Sequence, residues 1–239
     1  MKHITSITTT TLLAAAALAQ SAPAGSPFTS TANVALSSDY VFRGVSQTDN
    51  SLAISGGYDV SHSSGLSGGV WISNVDLSPA SLGIPGASTE TDLYVNYGFG
   101  LTKDVTASVG YIFYFYDNAE VANTSEVNAA LSAYGLTAKL SYTVSDGYFG
   151  VLGADGTTYV DLAYSVAVPG VKDLTLGLHY GWTEGEGAQV SYDDYSATLS
   201  YPVGGFTASL AYTNVDSDGE AVYGGLATDV VTFSLKKTF

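Results

Sequence analysis

From about Asn33 onward the chain alternates apolar and polar residues with a period of two, the rhythm of strands with one face in an apolar setting. Twelve such segments follow one another. Their apolar phases are Val34, Leu36, Ser38, Tyr40 and Phe42; Ile54 to Val60; Leu66 to Ile72; Leu93 to Phe99; Val105 to Phe115; Val127 to Ala133; Leu136 to Tyr142; Val160 to Val166; Leu174 to Trp182; Tyr195 to Tyr201; Phe206 to Tyr212; and Val231 to Phe239. The opposite phase is small or polar almost throughout. Connections alternate in length: short at 62–65, 102–104, 134–135, 169–173 and 202–205, long near 44–51, 75–89, 117–125, 145–156, 183–193 and 216–227. Strict alternation gathers the short turns at one end and the long loops at the other. The pattern predicts an all-β fold, a transmembrane antiparallel up-and-down barrel of 12 strands with short periplasmic turns and long extracellular loops.

Aromatic residues on the apolar phase sort into two belts. Near the long-loop end lie Tyr40, Phe42, Phe113, Phe115, Tyr142, Tyr180, Trp182, Tyr195 and Tyr212; near the short-turn end lie Phe99, Tyr201, Phe206 and Phe239. Between them are aliphatics such as Val95, Val109, Leu140, Leu162, Leu176, Leu199, Leu210 and Leu235. Belts flanking a band of about 25 Å suit lipid, where amphipathic rings settle at the headgroups. A soluble lipocalin-like barrel would instead carry its apolar side chains inside. Tyr40, Phe42, Phe113, Trp182, Phe206 and Phe239 are therefore expected as membrane anchors. The closing run "VVTFSLKKTF" resembles the terminal signal read by the outer-membrane assembly machinery, an aromatic residue preceded by alternating apolar ones. Lys237 departs from it, at a membrane edge where a lysine can snorkel.

Composition sharpens this. Of 239 residues only 12% are charged, against about a quarter in soluble domains. The absence of cysteine removes disulfides, thiolate metal sites and cysteine nucleophiles. A net charge of -15 argues against nucleic acid as a partner. Residues 1–19 read as a signal peptide, with Lys2, the core "LLAAAALA" and a small-x-small site at Ala17-Leu18-Ala19. Residues 20–32 read as a linker and 33–239 as an outer-membrane β-barrel.

The inward phase supplies the pore-lining candidates Asp39, Arg43, Asp59, Trp71, Asp92, Asn96, Glu126, Lys139, Asp161, His179 and Asp194, with Lys236 beside them. Asp39 and Arg43 fall on one face of the first strand, so a neighbouring strand should hold their partners. Eight strands leave a filled interior and 16–18 a wide channel, so twelve predict a narrow pore. The long loops form an acidic rim of Asp117, Glu120, Asp146, Asp155, Glu184, Glu186, Asp216, Asp218 and Glu220, joined by Asp49, Asp76 and Asp193. Such a rim concentrates cations and repels anions; bridging of divalent ions to lipid headgroups is its blander use. "DSDGE" at 216–220 lacks the spaced ligand set of a calcium loop, and neither metal nor cofactor is expected. Enzymatic activity is not expected either. A nucleophile or water needs a base, and past the signal only His62, in a periplasmic turn, and His179, facing inward, remain.

Two stretches go beyond architecture. "NVALSSDYVFRGVSQTDN" at 33–50 and "GLSGGVWISNVD" at 65–76 resemble the N-terminal signature of the TorF-type porin family, proteobacterial proteins long known only as conserved hypothetical ones. The matching features are Ser38-Asp39-Tyr40 leading to Arg43-Gly44-Val45-Ser46, "GGYDVSH" at 56–62, and Gly69-Val70-Trp71 with Ser73-Asn74-Val75-Asp76. The resemblance is dense over 33–76 and thins to strand rhythm afterwards. It implies a porin of the Gram-negative outer membrane and carries over no catalytic residues. Together these readings predict a narrow, cation-preferring diffusion channel for small hydrophilic solutes, in contact with outer-membrane lipid. The alternative is a structural or adhesive barrel with a blocked lumen, which conductance would separate from a porin.

Overall fold

The computed structural model describes residues 26–77 and 86–239; the expected signal peptide and residues 20–25 lie outside them. Twelve strands form the wall: β1 (Phe28–Ser37), β2 (Ala53–His62), β3 (Leu66–Asn74), β4 (Thr89–Gly100), β5 (Val105–Tyr116), β6 (Thr124–Ala133), β7 (Leu136–Thr143), β8 (Thr158–Ala167), β9 (Thr175–Glu184), β10 (Tyr192–Val203), β11 (Phe206–Val215) and β12 (Val230–Thr238). Each pairs antiparallel with its neighbours in sequence, and β1 closes on β12. At that seam Asn33 stands opposite Thr238 and Ser37 opposite Ser234. The seam runs one step further: the Ala32 amide donates to the Phe239 carbonyl at 3.2 Å, and the Phe239 amide to the Ala32 carbonyl at 2.8 Å. Closure leaves no strand edge, the condition for a sheet surrounded by lipid.

The outward phase is apolar and exposed all round. Leu199, 43% exposed, stands in a lateral row with Leu176 on β9 and Leu210 on β11. An apolar face this continuous belongs in a non-aqueous setting. Phe113, Trp182, Phe206 and Phe239 lie on it as expected. Lys237 sits between the last two: its ammonium donates to the Gly205 carbonyl at 2.8 Å and lies 5.4 Å from the Phe206 ring and 5.9 Å from that of Phe239. The break in the terminal pattern is thus a charge turned back onto the short-turn end.

Two expectations fail at β1. Residues 28–32, assigned to a linker, are strand and pair with β2. The strand then stops at Ser37, so Tyr40 and Phe42 are not membrane anchors. Tyr40 is buried, and Phe42 packs inside the barrel against Tyr114 and Phe149, with ring centroids 5.8 and 5.4 Å away. The cause is local. The Asp39 carboxylate accepts from the Ser46 and Thr48 hydroxyls, both at 2.7 Å, and folds the segment back on itself into the lumen.

Candidate functional site

The inturned segment, residues 38–52, is built around a small hairpin, Val41–Phe42 against Val45–Ser46. Its tip is Arg43-Gly44, with φ of 48° and 80°. Two positive φ values define the tight turn that suits a two-residue hairpin. Arginine rarely adopts that conformation and is held there by its contacts. Glycine is required beside it: a Cβ at Gly44 would strike Val215 and come within 2.8 Å of the Asp194 Cβ. The Tyr192 hydroxyl donates to the Arg43 carbonyl at 3.0 Å, pinning the tip to β10.

Arg43 does not find its partner on a neighbouring strand, as its assumed place in the first strand suggested. It reaches across the lumen to Glu126 on β6. Its two terminal nitrogens donate to the two carboxylate oxygens, both at 2.8 Å, and one also donates to the Tyr148 hydroxyl at 2.9 Å. Four rings surround the guanidinium: Tyr159 at 4.1 Å, Phe42 at 4.8 Å, and Tyr148 and Phe149 at 5.7 Å. Tyr148 and Phe149 arrive on a second inturned hairpin, Gly147–Tyr148 against Val151–Leu152. Burial pushes the Tyr148 phenol up to about 12, with the Arg43 guanidinium opposing it, so it remains a neutral hydroxyl. Removing one partner of a buried, paired charge of this kind costs about 3–5 kcal/mol.

Other candidates pack around this centre. Tyr40 donates to Glu90 at 3.2 Å, and Tyr114 to Glu126 at 3.4 Å. His179 is bonded on both ring nitrogens, to Asp161 at 3.1 Å and to Asp194 at 2.8 Å, and the Tyr159 hydroxyl joins at 3.1 Å. Neither nitrogen is free to serve as a base for a neighbouring hydroxyl. Tyr159 and Asp194 fit only because residue 181 is glycine; a Cβ there would collide with both. Trp71 packs edge-on to Tyr40 at 5.1 Å. Asp92, Glu126, Asp161 and Asp194 are at most 2% exposed, so this level of the lumen is packed solid.

The opposite half, toward the short turns, is different. Its inward residues include Ser67, Gly69, Asn96, Ser108, Asn128, Ser132 and Ser165, half-buried and small. Asp59, which accepts from Tyr94 at 2.5 Å, Lys139 and Lys236 bring its charges. The lumen is thus a polar chamber at one end and a plug at the other. Tyr114 was expected to narrow the lumen and is buried in it; the sequence reading missed Ile112, Tyr116, Tyr159 and Tyr192 as its further filling, all buried on the phase described as small or polar. Their signal was available: tyrosines on both phases of β5 leave one set facing inward.

On the rim, Glu120, Asp146, Asp155, Glu184, Glu186, Asp218 and Glu220 are exposed, as are Asp49 and Asp76. Two acids do structural work. Asp216 caps helix α1 (Ser217–Tyr223) by accepting from the Gly219 amide at 2.9 Å, which accounts for "DSDGE". Asp117 accepts from the Ser88 and Thr89 amides and the Ser88 hydroxyl; slight burial opposes them, but these bonds hold its carboxyl below the usual range. Among the described residues no group of three or more His, Asp or Glu is arranged to hold a metal ion.

A closed twelve-strand antiparallel barrel with an apolar exterior and a charged lumen is an outer-membrane type of β-barrel. The chain belongs to the Gcw_chp family, bacterial proteins of unknown function, whose model matches residues 21–239. Its fold is shared by the KdgM porin, with a TM-score of 0.56 at 9% identity over 87% of this chain and 98% of that one. A structure of the KdgM porin in complex with disordered oligogalacturonate gives 0.54 at 9% over 88% and 98%. The NanC porin gives 0.51 at 13% over 87% and 98%. No curated protein sequence matches the chain.

Proposed function

We propose that the chain is a porin-type channel of the Gram-negative outer membrane, a narrow, cation-preferring path for small hydrophilic solutes, and not an enzyme. The observation that carries this reading is the polar chamber of small side chains inside a lipid-facing closed barrel. The shared porin fold and the TorF-type resemblance over 33–76 support it. Cation preference rests on charge placement. The long loops contain one basic residue, Arg43, and it is buried and paired, while most of their acids stand exposed. An anionic sugar chain, the ligand named for one KdgM structure, would meet repulsion at such a rim.

Planar-bilayer recording of the refolded protein under a salt gradient tests the reading. Small current steps with long closed intervals and a cation-biased reversal potential are expected. The packed outer half favours a second reading, a structural or adhesive barrel with a blocked lumen. Silence from verified folded barrels at every voltage would select it.

Insertion by the outer-membrane assembly machinery after signal cleavage belongs to the same proposal. Phe239→Ala should lower the folded, heat-modifiable fraction in outer membranes more than Phe206→Ala, although both rings face Lys237. Equal folded fractions for the two variants would remove any special part for the closing strand in assembly.

A further inference from the structure

The surroundings of the Arg43 guanidinium have the composition of a ligand site. Glu126 faces it with both oxygens, the Tyr148 hydroxyl accepts from it, and four aromatic rings lie within 5.7 Å. Planar bidentate pairing and stacking on rings are what guanidinium recognition demands, and an ammonium fills neither role as well. The cage engages only the terminal nitrogens. The Arg43 Nε is buried with no hydrogen-bond partner among the described residues, so the site reads the forked end and is indifferent to what substitutes the third nitrogen. Phe42, Arg43, Tyr148 and Phe149 also line a cavity of about 170 Å³ together with the loop residues Gly150, Gln189 and Tyr223.

We propose that this cage is a binding site for monosubstituted guanidinium solutes, and that Arg43 is its tethered internal occupant. The tether gives Arg43 a high effective concentration. An incoming alkylguanidinium, drawn in by the acidic rim, competes with it for Glu126 and frees the hairpin, Phe42 with it, so that Tyr148, Phe149 and Tyr159 are the rings left to the solute. The plug and the selectivity of the path are then one device. The transport role rests on the channel reading; the binding itself does not, and the two are measured separately.

The test uses the full-length Arg43→Ala barrel, refolded in vesicles and shown to be folded by heat-modifiable migration. Methylguanidinium is the probe and methylurea, its neutral analogue, the control. At about ten times its dissociation constant the probe should raise the folded-to-unfolded ratio roughly 10-fold in urea titrations. It should also reduce the single-channel current that loss of Arg43 has raised. Methylurea should do neither, and the Arg43→Ala/Glu126→Ala double variant should lose both responses. The cage is refuted if methylguanidinium acts no differently from methylurea, or equally on the double variant. A barrel that conducts but ignores the probe leaves the channel reading standing without the cage. One that is stabilised by the probe yet silent keeps the cage and removes the channel. Should Arg43→Ala give no folded barrel, Arg43→Lys carries the same comparison, because an ammonium cannot fork across both Glu126 oxygens.

Discussion

Leu199→Arg is expected to destabilise the folded barrel by about 2–4 kcal/mol, and Ser67→Arg by less than about 1 kcal/mol. Leu199 lies in the aliphatic band, with Leu176 and Leu210 on either side and Tyr195 and Tyr201 above and below it on β10. An arginine there must hold its charge in hydrocarbon or drag headgroups and water inward. Ser67 faces the polar chamber between Ser61 on β2 and Asn96 on β4, with Asp59 close by. Among the described residues the Ser67 hydroxyl makes no hydrogen bond that replacement would lose, and an arginine there gains an acid and water. Urea unfolding in lipid vesicles compares the two directly. If Ser67→Arg unfolds the more easily, the inward and outward faces have been exchanged. The size of the effect comes from the solvent, since the same side chain is added at both sites.

The wall was legible in the sequence because each strand has to satisfy two media at once. Leu93, Val95, Tyr97 and Phe99 must face lipid while Asp92, Tyr94 and Asn96 face inward, so the period of two survives along the whole chain. Loop lengths then fixed direction, as tight turns and long loops segregate by end. What the alternation could not show is where a strand stops. Ser38, Tyr40 and Phe42 continue the apolar phase of β1 without a break, yet Asp39 finds two hydroxyl donors, Ser46 and Thr48, that a strand would not have offered. A side-chain bond across seven to nine residues leaves no periodic trace. The same blindness hid the site. Arg43 and Glu126 are 83 residues apart and are joined only by closure of the barrel. Reading Arg43 as a lumen residue was right in outcome, but through a strand position it does not occupy. Gly181 was unremarkable among 27 glycines, and Gly44 stood out only as one letter of the Arg43-Gly44-Val45-Ser46 motif. Each is needed where a loop or a tyrosine approaches the wall more closely than a Cβ permits, a constraint of three-dimensional contact alone.

Gly44→Ala should open the channel without dismantling the barrel. At φ of 80° an alanine is strained, at a cost of about 1–3 kcal/mol. Its methyl would also strike Val215 on β11 and the Asp194 Cβ on β10, atoms of the wall and not the far ends of flexible side chains. Overpacking of that kind adds about 1–3 kcal/mol. The wall is held by twelve ladders of backbone bonds, whereas the hairpin is held by the Arg43 cluster and a few hydroxyls. The hairpin therefore yields first, and leaving the lumen relieves both terms together. Open-channel current and the rate of protease cleavage within 38–52 should rise, while the urea midpoint of the barrel stays near that of the wild type. Gly225→Ala is the matched control: a Cβ there meets nothing within 4 Å, and neither current nor cleavage should change. The substitution adds no charge and replaces no side chain of the cage. An unchanged current together with unchanged protection of residues 38–52 would mean that the hairpin is a fixed part of the wall and not a plug.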